Sequence, residues 1–276
     1  MNAPTKTPAA GQSSEAILLR EDAGKIAILT LNRPAARNSL SEALLTSLSE
    51  TLSAIAKDRC IRAVVLAANG PVFCAGHDLK ELTAHRGDKD GGRAYFQHIM
   101  TTCSAMMQSI VTLPQPVIAA VQGVATAAGV QLVATCDLAV ASTEAKFATP
   151  GVDIGLFCST PMVALSRNVS RKQAMHMLLT GEAISAEDAK REGLVNQITE
   201  PGRERDAALA LAKRIASKSS HVVKIGKKAF YEQVPMPLSD AYRYAAEVMT
   251  ENMMARDANE GICAFLEKRA PHWEDK

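Results

Sequence analysis

The sequence predicts an α/β fold with a helical C-terminal region, and three observations predict it. Strand-length apolar runs alternate with amphipathic stretches through about the first 150 residues. After about residue 160, Ala, Lys, Glu and Met dominate and the apolar period becomes helical. Twice, a run rich in Gly and Ala stands between a strand and a helix, at Phe73–Glu81 and Gln122–Gln131.

Ile26–Leu31 reads as a strand. It is closed by Asn32-Arg33-Pro34, because proline cannot extend a central ladder. Over Leu40–Ala56, the residues Leu44, Leu48, Leu52 and Ile55 fall on one helical stripe. Ala63–Ala67 is apolar throughout, as in a strand buried on both faces. A loop follows over Asn69–Asp78, with a helix beginning near Asp78. Residues 85–92 are polar and Gly-rich and predict a mobile surface loop. A helix is predicted over 93–112, stopped before Pro114. Pro116–Gly123 is a further buried strand, small residues fill Val124–Gly129 where the next helix starts, and Asp137–Ser142 is a fourth strand. Helices are then predicted over 160–168, 171–179, 185–191, 203–217, 220–233 and 238–268, the last of them broken. Ser185-Ala-Glu-Asp188 has the pattern of a capping box, an acid three residues after a serine.

Composition narrows the function classes. The 276 residues suit two units, or one large domain with an appendage, at about 150 residues per domain. Hydrophobic residues are 47% and charged residues 22%, which excludes a disordered chain, a collagen or a small disulfide scaffold. A net charge of +2 gives no electrostatic case for nucleic acid or an anionic membrane as partner. The cysteines at 60, 74, 103, 136, 158 and 263 are scattered, so no metal site is expected and they read as reduced thiols. Residues 1–15 read as a disordered tail, without the apolar core of a signal peptide and too poor in Arg for a transit peptide. No apolar run reaches the ~18 residues of a membrane span. A cytoplasmic location is the default expectation. There is no GxGxxG after a strand, no GxxxxGK[ST], no HExxH and no GxSxG. Dinucleotide redox chemistry, P-loop hydrolysis, zinc proteolysis and α/β-hydrolase chemistry are therefore not expected, and no cofactor is.

The two Gly/Ala segments carry the chemistry. Each lets a ligand approach the backbone and points free N–H groups of a helix start at it. Together they would form a site for developing negative charge. The competing reading is that small residues only permit close packing of strand against helix.

The order and spacing of these segments resemble the crotonase (enoyl-CoA hydratase/isomerase) superfamily. The match runs from about Ile17 to Arg269. It includes Asn32-Arg-Pro34 with Arg37-Asn-Ser-Leu40, Phe73–Leu79, Pro116–Gly123, Cys136-Asp137, Phe147-Ala-Thr-Pro150, Leu179-Thr-Gly181 and Ala186–Val195. Within the superfamily the chain most resembles the enoyl-CoA hydratase domain-containing group, whose Gly-Leu-Phe-Cys-Ser-Thr-Pro run stands here at Gly155–Pro161. The resemblance implies a spiral of ββα units over residues 16–200 and a helical region over 201–276 that builds a homotrimer or a dimer of trimers. It implies an acyl-CoA thioester as ligand, with coenzyme A arriving as part of the substrate. The thioester carbonyl would accept hydrogen bonds from the main-chain N–H groups of His77 and Ala128.

The resemblance also implies that Ala75, Gly76, His77, Asp78 and Leu79, with Thr126, Gly129 and Pro150, line the substrate site. The imidazole of His77 is expected to have no acid–base role, and Asp78 to be a helix N-cap. Arg37 is either a contact for the nucleotide end of CoA or a surface arginine. Phe265 and Lys268 resemble residues that reach that end from a neighbouring subunit, with helix-face packing the alternative for Phe265.

The departure from the family lies in its two glutamates. Their positions hold Gln131 and Gly151, so both carboxylates are missing and efficient hydration is not expected. Restoring both, by Gln131→Glu with Gly151→Glu, is expected to raise hydration if the Gly151 backbone tolerates a side chain. Asp153 is two residues past Gly151 and in an extended segment would face the same side; a supporting position is favoured for it over a catalytic one. Gln131 could orient a water. Cys158, Ser159 and Thr160 lack an evident activating histidine, and His98 and His176 read as structural or exposed. The activity expected is thus that of a hydratase/isomerase-type lyase or isomerase of undetermined reaction. The alternative is a non-catalytic acyl-CoA-binding oligomer. A serine peptidase of the related caseinolytic-protease fold finds no serine at the required loop-to-helix position.

Overall fold

A computed structural model describes residues 16–276; the tail expected over 1–15 lies outside the described residues. The chain opens with β1 (Leu18–Ala23) and β2 (Ile26–Leu31), an antiparallel pair, and α1 (Glu42–Lys57). It then repeats one step three times. β3 (Ala63–Ala68) joins the first sheet, β4 (Val72–Cys74) crosses to a second, and α2 (Leu79–Ala84) and α3 (Arg93–Thr112) return. β5 (Val117–Val121), β6 (Val124–Thr126) and α4 (Ala128–Thr135) form the next step. β7 (Leu138–Ser142), β8 (Lys146–Ala148), α5 (Pro161–Leu165) and α6 (Arg171–Thr180) form the third. β9 (Ile184–Ser185), α7 (Ala186–Glu192) and β10 (Gln197–Thr199) close the two sheets. The orders are β1-β2-β3-β5-β7-β10 and β4-β6-β8-β9, parallel except at β1 and β9. This is a spiral of ββα units.

Continuous apolar runs form the first sheet because both of its faces are covered. On one face Leu29, Leu66, Ala119 and Ala139 belong to the main core, with Leu44 and Leu48 of α1 and Met106 and Ile110 of α3. On the other, Ile28, Val65, Ile118 and Val140 pack under Ala208, Ala212 and Ala216 of α8 (Glu204–Ala216). The alternation of side chains along each strand divides the two sets. Three further helices follow: α9 (Ser220–Gln233), α10 (Leu238–Met253) and α11 (Arg256–Leu266). One buried ion pair ties α9 to the sheet. Lys227 Nζ donates to Asp137 Oδ2 at 2.7 Å and to the Ile110 and Gln115 carbonyls, while the Tyr231 hydroxyl donates to Asp137 Oδ1 at 3.0 Å.

Several expectations change. The segment 85–92 is not a featureless loop: His85–Gly87 form a 3-10 turn, and Asp90 accepts from the N–H groups of Gly92 and Ala94 at the start of α3. The helix expected over 160–168 is only the five residues of α5. The 238–268 helix is broken, as expected, and the break falls between Met253 and Arg256. The C-terminal half contributes the short strands β9 and β10 to sheets built mainly upstream.

Candidate functional site

The parallel strands β4, β6 and β8 end side by side, so the turns after them converge. The turn after β4 is clamped by residues 33–40. Ala75 N–H donates to the Arg37 carbonyl, Leu40 N–H to the Gly76 carbonyl and Asp78 N–H to the Leu40 carbonyl. The Ala75 and Asp78 N–H groups are thus engaged, whereas those of Gly76 and His77 meet no backbone acceptor among the described residues. Gly76 has φ +89, a conformation that disfavours any side chain.

The turn after β6 approaches it closely. A Cβ on Gly76 would stand 3.1 Å from the Ala127 methyl, 3.2 Å from the Thr126 carbonyl oxygen and 3.3 Å from the Ala128 nitrogen. Ala127 holds φ 50 and ψ −116, a strained conformation for a residue with a side chain. Its N–H donates to the Ala148 carbonyl, and its own carbonyl receives Gln131 N–H. This crank turns the next peptide so that Ala128 starts α4 with an N–H that has no partner within the helix. The strained residue is Ala127, one before the donor position, and no feature of the sequence marks it. At Gly129 a Cβ would stand 2.1 Å from the Cys74 carbonyl oxygen, so α4 can lie on β4 only with glycine there.

Asp78 is the N-cap of α2, as expected: its carboxylate accepts from Lys80 N–H. Burial acts to raise its pKa, but hydrogen bonds from Arg33 and Ser39 and from the Lys80 and Glu81 N–H groups outweigh this and hold it below the usual carboxylate value. Both ring nitrogens of His77 are buried without a hydrogen-bond partner among the described residues; the Leu40 carbonyl approaches the ring without bonding geometry. Burial lowers the imidazole pKa, which favours the neutral ring. Leu79 and Arg37 are exposed, and Arg37 has left-handed backbone at φ 53.

At the two glutamate positions the structure adds physical detail. Gln131 is 5% exposed, and its Oε1 has no partner among the described residues. Thr149, which precedes Pro150, has a buried hydroxyl that is likewise unpartnered, a polar feature that sequence reasoning passed over. Gly151 is not at positive φ, so backbone conformation is not the obstacle foreseen for a side chain. The obstacle is space. A Cβ at 151 would stand 2.7 Å from the Leu156 carbonyl oxygen and 2.9 Å from Cys158 Sγ. The turn over 155–158 fills the space a side chain at 151 would need, and burial raises the Cys158 thiol pKa, which argues against a thiolate there.

The reasoning for Asp153 fails. Residues 150–154 form a 3-10 turn, not an extended segment, so alternation of faces does not apply. The Asp153 carboxylate instead lies against Gly181 at the end of α6, with Oδ2 2.9 Å from where a Gly181 Cβ would be. Phe265 stands 81% exposed on α11, which packs on α9 and α10, and Lys268 follows it at φ 56. Packing of Phe265 within its own subunit is therefore not its role. His98 and His176 are exposed, on Glu42 and Glu182 respectively.

Fold and site together define a class: a two-sheet ββα spiral with paired strand-to-helix turns that lie close to one another. Comparison with known proteins makes the class a family. The enoyl-CoA hydratase/isomerase family matches residues 21–276, and the chain belongs to it, with the crotonase fold that its sequence motifs resemble. It is 46% identical to rat enoyl-CoA hydratase domain-containing protein 3, mitochondrial, over 266 residues, covering 96% of this chain and 87% of that protein. A crystal structure of an enoyl-CoA hydratase from Mycobacterium smegmatis superposes with a TM-score of 0.89 at 50% identity, over 94% of this chain and 99% of that one. The crystal structure of human enoyl coenzyme A hydratase domain-containing protein 3 does so with a TM-score of 0.89 at 45% identity, over 94% and 100%. The mitochondrial names of such relatives overturn the cytoplasmic expectation.

Proposed function

We propose that this chain binds an acyl-CoA thioester and stabilises negative charge on its carbonyl oxygen with the main-chain N–H groups of His77 and Ala128. One observation carries the reading. The two turns approach within 3.3 Å, measured from a Gly76 Cβ position to the Ala128 nitrogen, and each offers an N–H without a backbone acceptor. Such donors are fixed before substrate arrives, so they stabilise an enolate or a tetrahedral oxyanion without reorganising. Removing one such donor in other enzymes costs ~2.7–4 kcal/mol of barrier. The turn residues Ala75–Leu79, Thr126–Gly129 and Pro150 form the acyl and thioester site. Arg37, with Phe265 and Lys268 of a neighbouring copy in a homotrimer or dimer of trimers, meets the nucleotide end. No cofactor is needed beyond the CoA that the substrate carries.

The names of the relatives make enoyl-CoA thioesters the first ligands to try. Fast crotonyl-CoA hydration is not part of the proposal, because neither Gln131 nor Gly151 can exchange a proton with substrate or water. The test is calorimetry with short, medium and long acyl-CoAs. Binding of at least one is expected; no heat from any of them overturns the proposal. A second reading, a non-catalytic acyl-CoA-binding oligomer, is favoured by the Leu156 carbonyl and Cys158 Sγ at the second acid position. Turnover across the thioesters that bind separates the two: silence on all of them selects the second.

A further inference from the structure

We propose that Arg33 and Asp78 are a positioning pair that aims the His77 N–H at the substrate carbonyl. The inference rests on the oxyanion reading above and concerns how the first donor is held. Arg33 lies on the strap that clamps the turn after β4. Its Nη1 donates to the Ser39 carbonyl at 2.6 Å, and its Nη2 donates to Asp78 Oδ2 at 3.1 Å. Ser39 Oγ donates to the same carboxylate oxygen at 3.1 Å, and Asp78 Oδ1 accepts from Lys80 N–H. One carboxylate thus joins the strap to the start of α2, with His77 directly before it.

Two features make this more than a surface ion pair. The side chains are 20% and 12% exposed, so solvent screens them weakly. The strap is itself fixed at its far end, where Asn38 is fully buried, accepts from Arg33 N–H and donates to the Asn69 and Val72 carbonyls. Arg33 therefore transmits the position of an anchored strap to a turn whose helix, only six residues long, cannot orient itself. The planar guanidinium spans the Ser39 carbonyl and the Asp78 carboxylate at once, which an ammonium on a flexible stem does less well.

The test uses cinnamoyl-CoA, an aromatic enoyl thioester whose absorption moves to longer wavelength when its carbonyl is polarised. The variants are Asp78→Asn, Asp78→Ala, Arg33→Ala and Arg33→Lys. Asn caps helices about as well as Asp, so Asp78→Asn keeps the start of α2 but removes the charge and puts an NH2 that cannot accept where Oδ2 faces Arg33 and Ser39. If Asp78 merely caps, that variant leaves the band where it is. If the pair positions the donor, Asp78→Asn and Arg33→Ala each lose about half of the red shift, since one of two donors is misaimed. In Arg33→Ala, whose residue lies outside the acyl and thioester site, Kd then stays within about threefold, because contacts along CoA and the acyl chain are untouched. Arg33→Lys recovers part of the shift. The double variant Arg33→Ala with Asp78→Ala loses no more than either single change, as members of one network do. A full red shift in both Asp78→Asn and Arg33→Ala overturns the positioning role and leaves the oxyanion reading standing. Loss of the shift only in step with loss of binding also overturns it. Wild-type protein that binds cinnamoyl-CoA with no red shift overturns the oxyanion reading itself.

Discussion

Installing a side chain at position 151 tests whether the missing second acid has been lost or replaced. An ideal Cβ there meets the Leu156 carbonyl oxygen at 2.7 Å, Cys158 Sγ at 2.9 Å and the Leu156 carbonyl carbon at 3.3 Å. Two of those atoms are backbone, and the Leu156 N–H is itself bonded to the Gly151 carbonyl at 2.8 Å, so the turn cannot yield by a rotamer change. Overpacking of this kind costs ~1–3 kcal/mol. At roughly 2–4 °C per kcal/mol for a chain of this size class, Gly151→Ala should lower Tm by about 2–12 °C. Cys158→Gly removes the sulfur contact only, so Gly151→Ala should still destabilise protein that carries it. Gln131→Glu with Gly151→Glu should leave crotonyl-CoA hydration within about tenfold of wild type, although each acid–base group is worth ~10²–10⁴ where it can be seated. The assays are thermal melts by circular dichroism and loss of the enoyl-thioester absorbance. Gly151→Ala melting with wild type, or a hundredfold gain in the double glutamate variant, would refute the argument. Wild-type hydration at about ten per second or faster, an ordinary enzyme rate, would do the same for the claim that the acids are missed.

Four further outcomes are expected. Lys227→Met leaves the Asp137 charge buried beside Tyr231 and should cost ~3–5 kcal/mol in urea denaturation; a loss under about 1 kcal/mol contradicts the buried pair. Ala127→Gly should raise Tm, because relief of ~1–3 kcal/mol of strain exceeds the ~0.5–1 kcal/mol entropy cost of glycine; a lowered Tm refutes the strain. The depressed pKa of His77 makes its contribution to stability complete above the ordinary value of 6.5 and lost as pH falls from there through the folded pKa. Urea midpoints should therefore fall less steeply with acid in His77→Gln than in wild type, and parallel slopes refute this. Leu238, Tyr242, Met249, Met253 and Met254 are exposed along α10 and its end, and a trimer or hexamer is expected by light scattering at micromolar protein; a single monomeric species contradicts it.

The first sheet was legible because strands buried on both faces are written as continuous apolar runs, as at Ala63–Ala67 and Pro116–Gly123. The second sheet was not. β4, β6 and β8 have three residues each, too few to display any period. The last helix was expected to be broken, but the break after Met253 contains neither Gly nor Pro to mark its place. At the site, Asp78 announced its capping role through residue type and place. The His77 and Ala128 positions came from motif order, and their spatial approach came only with the fold. Asp153 misled because a 3-10 turn follows Pro150 where extended chain was assumed. The filling of position 151 by the Leu156 carbonyl and Cys158 Sγ depends on the path of the turn that follows it, and no residue type encodes it.

The spiral assembles its site from the ends of β4, β6 and β8, one per circuit, and the groups it presents there include main-chain atoms. A side-chain acid disappears with a single codon change, but the N–H groups at 77 and 128 persist under every replacement except proline. If these groups hold the thioester as proposed, lineages with this architecture can discard proton transfer while keeping that cradle intact. Chemistry in such a protein is free to drift, whereas the location and polarity of these main-chain groups are inherited with the path of the chain.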